Sequence, residues 1–369
     1  MAAIKALCIT EDPDRPTTAT FVGLKRAGVD VTVVCPQTAV KNRVMLAEAG
    51  VRLLDLEVRG RFDRAGTRRL RDELVRGRYD VLHLFSNRPL ESGIGAVRGL
   101  PVRLIAYRGI VGNVSFFSPV SWLRFLNPRI DRIVCVCNAV RDYFLAMRPA
   151  FLRMPAERPV TIYKGHSLDW YTAKPADLRA VGIPAGAFVV VCVANYRPRK
   201  GIELLVDALA DLPRDWPVHL LLVGQMDAPR LRAKIAASPV RERIHAPGHR
   251  DDAPALVAAC DLFVLPSVKR EGLARSLIEA MAYGVAPIVT DCGGSPEVVV
   301  DGQCGLVVPV RDAAALARAI ARLYEDAALR QRFGAAARAR IGSEFRIERT
   351  IEQTLALYRE LVGENPLLG

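Results

Sequence analysis

Two glutamates with seven residues between them, Glu271 and Glu279, have the type and spacing that most clearly indicate chemistry in this sequence. The apolar run 262–265 predicts a short buried strand, and the pattern over 275–283 predicts a helix. Glu271 is therefore expected in a strand-to-helix loop, and Glu279 about one turn into the helix. The free N–H groups of such a loop and helix start bind anions. Two carboxylates beside an anion site suit a ligand with hydroxyls at both ends and phosphates between them, such as a sugar nucleotide.

A second cluster suited to phosphate lies where another apolar strand is predicted to end. The segment 193–201 contains Arg197, Arg199 and Lys200, and a helix is predicted directly after it, over 202–210. Arginine offers phosphate a planar fork of donors, and lysine offers a compact positive charge. A solvated basic loop is the simpler alternative. The paired glutamates in the same predicted domain favour phosphate binding.

The order of the predicted elements indicates an α/β fold. The chain has 369 residues, of which 51% are hydrophobic, enough to form the cores of two domains. Strand and helix patterns alternate, which is typical of parallel sheets with helices on both faces. We therefore expect two Rossmann-like, doubly wound domains that face each other across a cleft, with ligands at the carboxyl ends of the strands. The predicted strands are Ile4–Ile9, Val31–Cys35, Val51–Leu56, Val81–Phe85, Val102–Tyr107, Ile133–Cys137, Phe188–Ala194, Val218–Val223, Ile244–His245, Leu262–Leu265, Ala286–Thr290 and Gly305–Val308.

Glycine and proline residues between about 161 and 184 mark the expected domain boundary. The expected N-terminal domain is 1–164, and the expected C-terminal domain is 165–345. A helix within 346–369 is expected to pack back toward the N-terminal domain.

These motifs resemble those of glycosyltransferase family 4, the large retaining family with the GT-B fold. The resemblance rests on Arg199-Lys200-Gly201 between a strand and a helix, on the paired glutamates and on the segment 290–297. It implies a retaining glycosyltransferase that moves a sugar from a nucleoside-diphosphate sugar, bound by 165–345, to an acceptor bound by 1–164. By analogy with relatives that build cell envelopes, the expected acceptor is an envelope glycan of the lipopolysaccharide type or a lipid-linked glycan.

The resemblance also implies roles for individual residues of the donor side. Arg199 and Lys200 match the basic pair that binds the donor diphosphate, and Glu271 matches the glutamate that contacts hydroxyls of the transferred sugar. These three are the expected catalytic residues, because fixed charges at the leaving phosphate and the sugar stabilise the transition state. Glu279 matches the glutamate that binds the ribose hydroxyls. The other expected donor contacts are Gly272, Leu273 and Ala274, through their backbone amides, with Asn195 and Arg197 near the phosphates and Gly224 and His249 near the base.

The family is thought to react on one face of the sugar. In that scheme the donor phosphate itself helps to deprotonate the acceptor, so no dedicated nucleophile is required. Glu271 as a covalent nucleophile is the less favoured alternative.

The sequence departs from the family pattern in three places. The loop 10–18 contains no glycine where many relatives have a pair, and residues 107–109 read Tyr-Arg-Gly where many have a histidine. Asn195 also takes the place of the usual arginine. The expected acceptor contacts are Arg108, Asp12 and Thr17. For Arg108, an anionic acceptor, the donor phosphate and a purely structural role remain as alternatives.

No cofactor is expected besides the donor substrate itself. The eight cysteines include no C-x-x-C pair, which predicts buried thiols in a reducing compartment, and the histidine spacing predicts no zinc site. Asp12-Pro13-Asp14 spells D-x-D, a metal-binding motif of another glycosyltransferase fold. A turn between strand and helix is the favoured interpretation here, so we expect a metal-independent enzyme.

Positive charge is concentrated in the first half of the chain. The net charge is +13, and residues 1–164 hold 27 Lys and Arg against 15 Asp and Glu. This asymmetry suggests a negatively charged partner for that half. A nucleotide sugar and a glycan or lipid-linked acceptor are the expected partners, together with an anionic membrane surface.

Two stretches are candidates for contact with lipid. The segment 59–78 contains eight arginines, with Leu70 and Leu74 spaced for one helical face, which predicts a basic amphipathic helix on an anionic membrane. The segment 116–126 mixes aromatic residues with arginine and is expected to enter the membrane interface or to line an acceptor groove. A solvated face and ordinary packing are the alternative for both. Hydropathy predicts neither a spanning helix nor a signal peptide, so the expected location is the cytoplasm, with peripheral attachment to the inner face of the cytoplasmic membrane.

Two other functions compete with the transferase. A nucleotide-sugar epimerase with the GT-B fold would also use acidic and histidine residues, but the paired glutamates with Arg199 and Lys200 favour transfer. A non-catalytic nucleic-acid-binding protein would explain the positive charge. The sequence contains no helix-turn-helix, zinc-finger or aromatic-basic strand motif, so no nucleic-acid partner is expected.

Overall fold

The computed structural model describes residues 3–11, 13–58, 63–147 and 153–363. The chain divides into two units by its internal contacts. The first unit comprises Met1–Gly165 with Arg346–Gly369, and the second comprises His166–Phe345.

The first unit begins with alternating strands and helices. In chain order they are β1 (Lys5–Ile9), α1 (Arg15–Arg26), β2 (Asp30–Val34), α2 (Val40–Glu48), β3 (Arg52–Leu53), α3 (Arg64–Gly77), β4 (Val81–Leu84), α4 (Leu90–Ala96), β5 (Arg103–Arg108), α5 (Pro119–Leu123), β6 (Arg132–Cys135), α6 (Asn138–Leu145) and β7 (Pro159–Thr161).

Its seven strands form one parallel sheet in the order β3-β2-β1-β4-β5-β6-β7. The central strands β1, β2 and β4 consist mostly of buried apolar residues, as expected of a sheet covered on both faces. The sequence predicted six of these strands. It missed β7, a three-residue edge strand that starts at Pro159, and it overestimated β3, which has only two residues.

Helix α3 buries the leucines that the sequence analysis assigned to a lipid-facing stripe. Leu70 and Leu74 are at most 1% exposed and belong to the protein interior. The helix is amphipathic, but its apolar face packs on the first unit and its basic face points to solvent. The prediction that these leucines contact lipid is therefore wrong. Residues 59–62 of the predicted stretch lie outside the described residues.

The second unit repeats the alternating pattern. Its elements are β8 (Phe188–Val193), α7 (Ile202–Ala210), β9 (Val218–Val223), α8 (Pro229–Ala236), β10 (Ile244–Gly248), α9 (Ala253–Ala258), β11 (Leu262–Leu265), α10 (Arg275–Ala282), β12 (Ala286–Thr290), α11 (Ser295–Val298), β13 (Leu306–Val308), α12 (Ala313–Glu325) and α13 (Ala327–Glu344). A short 3₁₀ turn, Pro198–Lys200, lies between β8 and α7.

The second sheet has six parallel strands in the order β10-β9-β8-β11-β12-β13. Residues from these strands and from α7 and α12 form one large core around Val190, Leu220 and Ile320. The predicted α/β class with two doubly wound parallel sheets is confirmed.

The last described helix, α14 (Ile347–Val362), packs against α1 in the first unit. The hydroxyl of its fully buried Tyr358 forms a hydrogen bond with His83 Nδ1 at 2.9 Å. Burial in this apolar core lowers the pKa of His83 to about 3, so the imidazole is neutral at physiological pH.

Candidate functional site

The candidate site lies at the topological switch point of the second sheet. From β8 the chain moves outward through β9 to β10, returns to form β11 on the other side of β8, and continues to β12 and β13. The loops that follow β8 and β11 therefore leave adjacent strands at the same edge. Open α/β sheets bind ligands in the crevice that forms at such a point.

Gly201 brings these two loops together. Its φ is +67°, a left-handed conformation, and a Cβ placed there would lie 2.0 Å from the carbonyl oxygen of Pro266. Only glycine fits both requirements. The turn after β8 can thus lie directly on the carboxyl end of β11, which places Arg199 and Lys200 beside the loop that carries Glu271.

Lys200 and Glu271 form a buried ion pair. Lys200 Nζ donates to Glu271 Oε2 at 2.7 Å, and the two side chains are 16% and 8% exposed. Ser267, which is fully buried, donates its hydroxyl to the same oxygen at 2.5 Å. Both contacts converge on Oε2. Within the described residues, Oε1 accepts no hydrogen bond, so it remains able to bind a ligand hydroxyl.

Arg199 binds the same loop through its backbone and its side chain. Val268 N donates to the Arg199 carbonyl at 2.8 Å, and Arg199 Nη1 donates to the Arg270 carbonyl at 3.2 Å. Arg270 has a φ of +60°, which is uncommon for a residue with a side chain. These bonds hold the loop in a conformation that it would not favour alone.

Helix α10 begins at the cavity with donors that no side chain caps. In the described chain, its N-cap residue Ala274 has no side-chain hydrogen bond to the helix start. The first N–H groups of a helix have no partner within the helix, and they attract anions together with the helix dipole. Leu273, Ala274 and Ser276 line the cavity at this end.

A cavity of about 660 Å³ is enclosed by these loops. Its volume is within the range of small-molecule sites. The predicted catalytic residues Glu271, Arg199 and Lys200 line it, as do most of the predicted donor contacts. The predicted donor contacts that line it are Glu279, Leu273, Ala274, Asn195, Arg197, Gly224 and His249. Gly272 is buried within the loop and does not line it.

The two glutamates have different surroundings. Glu279 is 28% exposed at its side chain and lies 3.4 Å from Arg275 Nε, one helical turn before it. Glu271 is held by Lys200 and Ser267 instead. Arg270 and Arg275 are close to Glu271 in the sequence, but among the described residues neither forms an ion pair with it.

The opposite wall of the cavity comes from the ends of β8, β9 and β10. Gly224 has a φ of +127°, and a Cβ there would lie 2.2 Å from the Ala194 carbonyl oxygen. Asn195 Oδ1 accepts from Gln225 N at 3.0 Å, which ties the loop after β8 to the loop after β9. His249 is exposed, with Nε2 3.6 Å from an Asp251 carboxylate oxygen.

Sequence reasoning missed several contributors to this site. Ser267 directly follows Pro266 at the end of β11, but a serine in a loop carries no pattern that predicts its partner. Gly293 lies in the segment 290–297, whose sequence does not show what this glycine contacts. Its φ is +58°, and a Cβ there would lie 2.0 Å from the Glu271 carbonyl oxygen. Glycine therefore lets the loop after β12 pack directly against the Glu271 backbone.

Two buried thiols lie near the ion pair. Burial raises the pKa of Cys192 to about 12, although Lys200 nearby opposes this. Burial also raises the pKa of Cys292, which lies beside the Glu271 backbone. Both thiols are therefore protonated and unreactive at neutral pH. All eight cysteines are buried and free of disulfides.

The predicted acceptor residues belong to the first unit, and two of them have structural contacts. Arg108 is 6% exposed, and its guanidinium donates to the carbonyls of Ile110, at 3.1 Å, and Gly112 while lying 4.9 Å from the Phe125 ring centre. Burial, with Arg124 nearby, lowers the pKa of Arg108 to about 10, so it remains charged. Of the three alternatives for Arg108, the structural role is the one whose contacts are present.

Thr17 belongs to the start of α1. Its N and Oγ1 both donate to Asp14 Oδ1, at 3.1 and 2.6 Å, and Asp14 also accepts from Lys164 Nζ at 2.8 Å. Burial opposes ionisation of Asp14, but Lys164 and Thr17 outweigh it and lower its pKa. Asp14 therefore acts as a helix cap. Asp12, the third predicted acceptor residue, lies outside the described residues.

Among the described residues, no three His, Cys, Asp or Glu side chains are grouped as a metal site. None of the helices in the described ranges combines the length and apolarity needed to cross a bilayer.

Comparisons with known proteins agree with this geometry. The model of the family described as glycosyl transferases group 1 matches residues 173–340, and that of glycosyltransferase family 4 matches 20–170. The phosphatidyl-myo-inositol mannosyltransferase of Mycobacterium leprae is 31% identical over 279 residues, covering 74% of this chain and 72% of the relative. The chain belongs to glycosyltransferase family 4.

Two further proteins are similar to this glycosyltransferase. The lipopolysaccharide core biosynthesis mannosyltransferase LpcC of Rhizobium leguminosarum bv. viciae is 31% identical over 221 residues, covering 57% of this chain and 62% of that protein. The crystal structure of Anabaena HepE in complex with UDP has a TM-score of 0.78 and 22% identity, covering 97% of this chain and all of that one. The expected GT-B fold is confirmed.

Proposed function

We propose that this glycosyltransferase transfers a sugar, with retention of configuration, from a nucleoside-diphosphate sugar to a cell-envelope glycan or lipid-linked acceptor of the lipopolysaccharide type. The observation that carries the proposal is the Lys200–Glu271 pair in the wall of the cavity, beside the uncapped start of α10. Cations and helix N–H groups suit a diphosphate, and the two glutamates suit hydroxyls on either side of it.

Each residue has a separate role in the proposed donor complex. Lys200 and Arg199 bind the diphosphate together with the backbone amides of Leu273 and Ala274. Glu271 presents Oε1 to hydroxyls of the sugar, since Oε2 is already bound by Lys200 and Ser267. Glu279 binds the ribose hydroxyls, and the base lies near Gly224 and His249, which line the far side of the cavity.

The proposed reaction breaks the bond between the anomeric carbon and the phosphate oxygen. The leaving diphosphate takes the electron pair, and Lys200 and Arg199 stabilise the negative charge that develops on it. The acceptor hydroxyl attacks from the same face, and its proton passes to an oxygen of the leaving phosphate. Glu271 stabilises the positive charge at the anomeric carbon through its orientation of the sugar hydroxyls. No metal is required in this scheme, because protein cations meet the phosphate charge.

The names of the relatives support the substrate classes. Two of them are named mannosyltransferases, one acting on phosphatidyl-myo-inositol and the other in lipopolysaccharide core biosynthesis. HepE was crystallised with UDP. GDP-mannose and UDP-hexoses are therefore the first donors to test, and lipid-linked glycans are the first acceptors. The cytoplasm is the proposed location, because nucleotide sugars are made there.

Product stereochemistry tests this proposal most fully. The protein is incubated with each labelled nucleotide sugar and a lipid-linked glycan fraction, and the new linkage is examined by proton NMR. An α-linked product from an α-configured donor is expected, and an excess of EDTA should leave the rate unchanged. A β-linked product would contradict retention, and loss of activity with EDTA would contradict metal independence. Epimerised donor formed without acceptor would favour the epimerase.

A further inference from the structure

We propose that Lys269 and Arg270 bind an anionic group of the acceptor, a phosphate or a carboxylate, and thereby position the hydroxyl that receives the sugar. These two residues, the loop cations, directly precede Glu271 in the loop between β11 and α10. The inference rests on the proposed function. It adds to that function the charge of the acceptor and the residues that recognise this charge.

The loop cations have no acidic partner within the described part of the chain. Both residues are exposed, and neither side chain forms an ion pair or a hydrogen bond there. The acid next to them, Glu271, is bound by Lys200 and Ser267 through Oε2. Two adjacent positive charges are therefore available to a ligand.

Two arginines of the cavity wall differ from the loop cations in this respect. Arg250 Nη2 lies 2.8 Å from an Asp252 carboxylate oxygen, and Arg275 Nε lies 3.4 Å from a Glu279 carboxylate oxygen. These ion pairs reduce the charge that the two arginines offer to a ligand. The loop cations keep their full charge beside the carboxylate that is proposed to contact the sugar.

The backbone of Arg270 is strained. Its φ is +60°, in the left-handed region that favours glycine. The turn after β8 maintains this conformation, because Arg199 Nη1 donates to the Arg270 carbonyl at 3.2 Å. Strained residues of this kind are concentrated at functional sites. An arginine that is kept where glycine would fit without strain indicates a function for its side chain, independently of the unpaired charge.

The loop cations lie outside the cavity that the donor is proposed to occupy. Glu271 lines this cavity, whereas Lys269 and Arg270 do not. A ligand group that reaches them is therefore outside the donor cavity but close to the sugar that Glu271 contacts. The acceptor is the substrate that has to approach the sugar from outside. Arg108, for which the sequence suggested an anionic acceptor, is bound to backbone carbonyls instead.

A phosphate or a carboxylate matches the two groups of the loop cations. The guanidinium of Arg270 offers two parallel N–H donors, and the ammonium of Lys269 offers a compact charge. An anionic group held in this way keeps the acceptor hydroxyl near the anomeric carbon, and such orientation accelerates transfer. Because the loop cations do not touch the reacting atoms, they are positioning residues.

Transfer kinetics with the full chain and one acceptor preparation in three forms test the proposal. The preparation is a lipid-linked glycan fraction. It is used untreated, after cleavage of its phosphate esters with hydrofluoric acid, and after amidation of its carboxylates. The two treatments distinguish a phosphate from a carboxylate as the group that is recognised.

The test variant is Lys269→Gln with Arg270→Gln. Its matched control is Arg311→Gln with Arg318→Gln, which removes the same charge from two exposed residues of the same unit. Arg311 has a φ of +63°, close to that of Arg270, and neither control residue lines the cavity. The single variants Arg270→Lys and Arg270→Gly separate the charge of the side chain from the backbone conformation.

The KM for the acceptor is expected to depend on both the anionic group and the loop cations. In wild type, removal of the recognised group should raise this KM at least about tenfold, since a hydrogen bond to a charged group contributes about that much. The test variant should have a KM for the untreated acceptor roughly a hundredfold above that of wild type. With the form that lacks the group, its KM should equal that of wild type. The control should behave like wild type throughout.

Donor binding and folding should be unaffected by these changes. The test variant should keep the thermal shift given by a nucleotide sugar, and its kcat at saturating acceptor should stay within about twofold of wild type. Arg270→Lys should recover most of the affinity for the acceptor. Arg270→Gly should lose about tenfold in that affinity, although its melting temperature without ligand should be at least that of wild type, because glycine adopts this φ without strain.

Four results would overturn the proposal. The first is an equal KM of wild type for all three forms of the acceptor, and the second is an unchanged KM in the test variant. Equal losses in the control would show a general charge effect. Loss of the donor thermal shift in the test variant would assign the loop cations to the donor. Each of these results leaves transfer by wild type, and with it the proposed function, intact. Absence of both a thermal shift and a product with wild type would instead refute the proposed function, and this inference with it.

Discussion

Lys200 Nζ lies 2.7 Å from Glu271 Oε2, although the two residues are 71 positions apart in the chain. Both groups are largely withdrawn from water, so each depends on the other for its charge to be tolerated. The pair holds a cation and a carboxylate at fixed positions before any ligand binds. A diphosphate and a sugar would meet groups that need little reorganisation, which is the arrangement expected of a transferase site.

Removal of one partner of this pair should lower the free energy of unfolding. Replacing Lys200 by Met leaves the Glu271 carboxylate buried with only Ser267 as a partner, and we expect a loss of about 3 kcal/mol in unfolding free energy. Urea unfolding measures this. The double variant Lys200→Met with Glu271→Gln should lose much less than the sum of the two single changes.

The control for this prediction is an ion pair of the same unit whose cation is exposed to solvent. Arg230 is 76% exposed and lies 3.2 Å from Glu203, so Arg230→Met should cost less than about 1 kcal/mol. If Lys200→Met costs no more than Arg230→Met, the buried pair does not stabilise the loop.

Ser267 is expected to act as a positioning residue for Glu271. Ser267→Ala removes the hydroxyl that donates to Oε2, so the carboxylate is less well oriented. We predict that kcat falls about tenfold while KM for the donor changes little, as expected for a contact needed mainly in the transition state. Steady-state kinetics with the donor that the protein binds provide the measurement.

Ser295 offers a matched control, because it is equally buried and its Oγ has no hydrogen-bond partner in the described structure. Ser295→Ala should leave kcat within about twofold, since no hydrogen bond is lost. Equal effects of the two substitutions would mean that Ser267 contributes packing alone.

Gly201 should be irreplaceable for donor binding. In Gly201→Ala, a left-handed conformation costs roughly 1–2 kcal/mol. The new Cβ also meets the Pro266 carbonyl oxygen at 2.0 Å, which would force the turn away from β11. We expect the variant to fold with reduced stability and to show no thermal shift with a nucleotide sugar.

A substitution at Gly186 separates the cost of the left-handed conformation from the effect of the steric clash. Its φ is +79°, but a Cβ there would meet nothing within 4 Å. Gly186→Ala should therefore lose only the conformational part of the stability and should keep its thermal shift. Normal donor binding by Gly201→Ala would show that the close approach of the two loops is not needed.

The fold and the donor half of the site could be predicted because their signals are local. Apolar runs of four to six residues mark β8, β9, β11 and β12, and the basic turn and paired glutamates directly follow two of them. Adjacency of the two loops then follows from the rule that parallel sheets bind ligands at a switch point.

The remaining features depend on tertiary contacts that the sequence does not display. The pairing of Glu271 with Lys200 instead of Arg275 depends on how closely Gly201 lets two loops approach. Burial of Arg108 depends on Phe125 and on carbonyls of a later loop. The leucines of α3 show the same limit, because periodicity identifies an apolar face but does not say whether protein or lipid covers it.

A pair of histidines should make the second unit sensitive to acid. His219 Nδ1 lies 2.9 Å from His245 Nε2, and the rings stack at the start of β9 and β10. Burial lowers the pKa of both, and at His219 the neighbouring His245 lowers it further. His245 also forms a hydrogen bond with the Val181 backbone, which partly offsets the lowering of its pKa.

Because folding lowers the pKa of both histidines, the folded state should become less stable as the pH decreases. Below pH 6.5 the unfolded chain binds protons that the folded pair does not, so stability falls as the pH falls through and below that value. His245→Asn should flatten the dependence of the unfolding midpoint on pH between about 5 and 7. His249→Asn, at an exposed position, should leave the dependence as in wild type. An unchanged slope in His245→Asn would show that the pair does not control acid stability.

A thermal-shift panel of nucleotide sugars shows whether the cavity of the second unit binds a sugar nucleotide with Glu279 on the ribose. One donor should raise the melting temperature of wild type and of the exposed control Glu242→Ala, because ligand that binds only the folded state stabilises it. The same donor should largely fail to stabilise Glu279→Ala, whose melting temperature without ligand should match that of wild type. Equal shifts in wild type and Glu279→Ala would contradict the ribose assignment, and no shift in wild type with any nucleotide sugar would contradict the donor site itself.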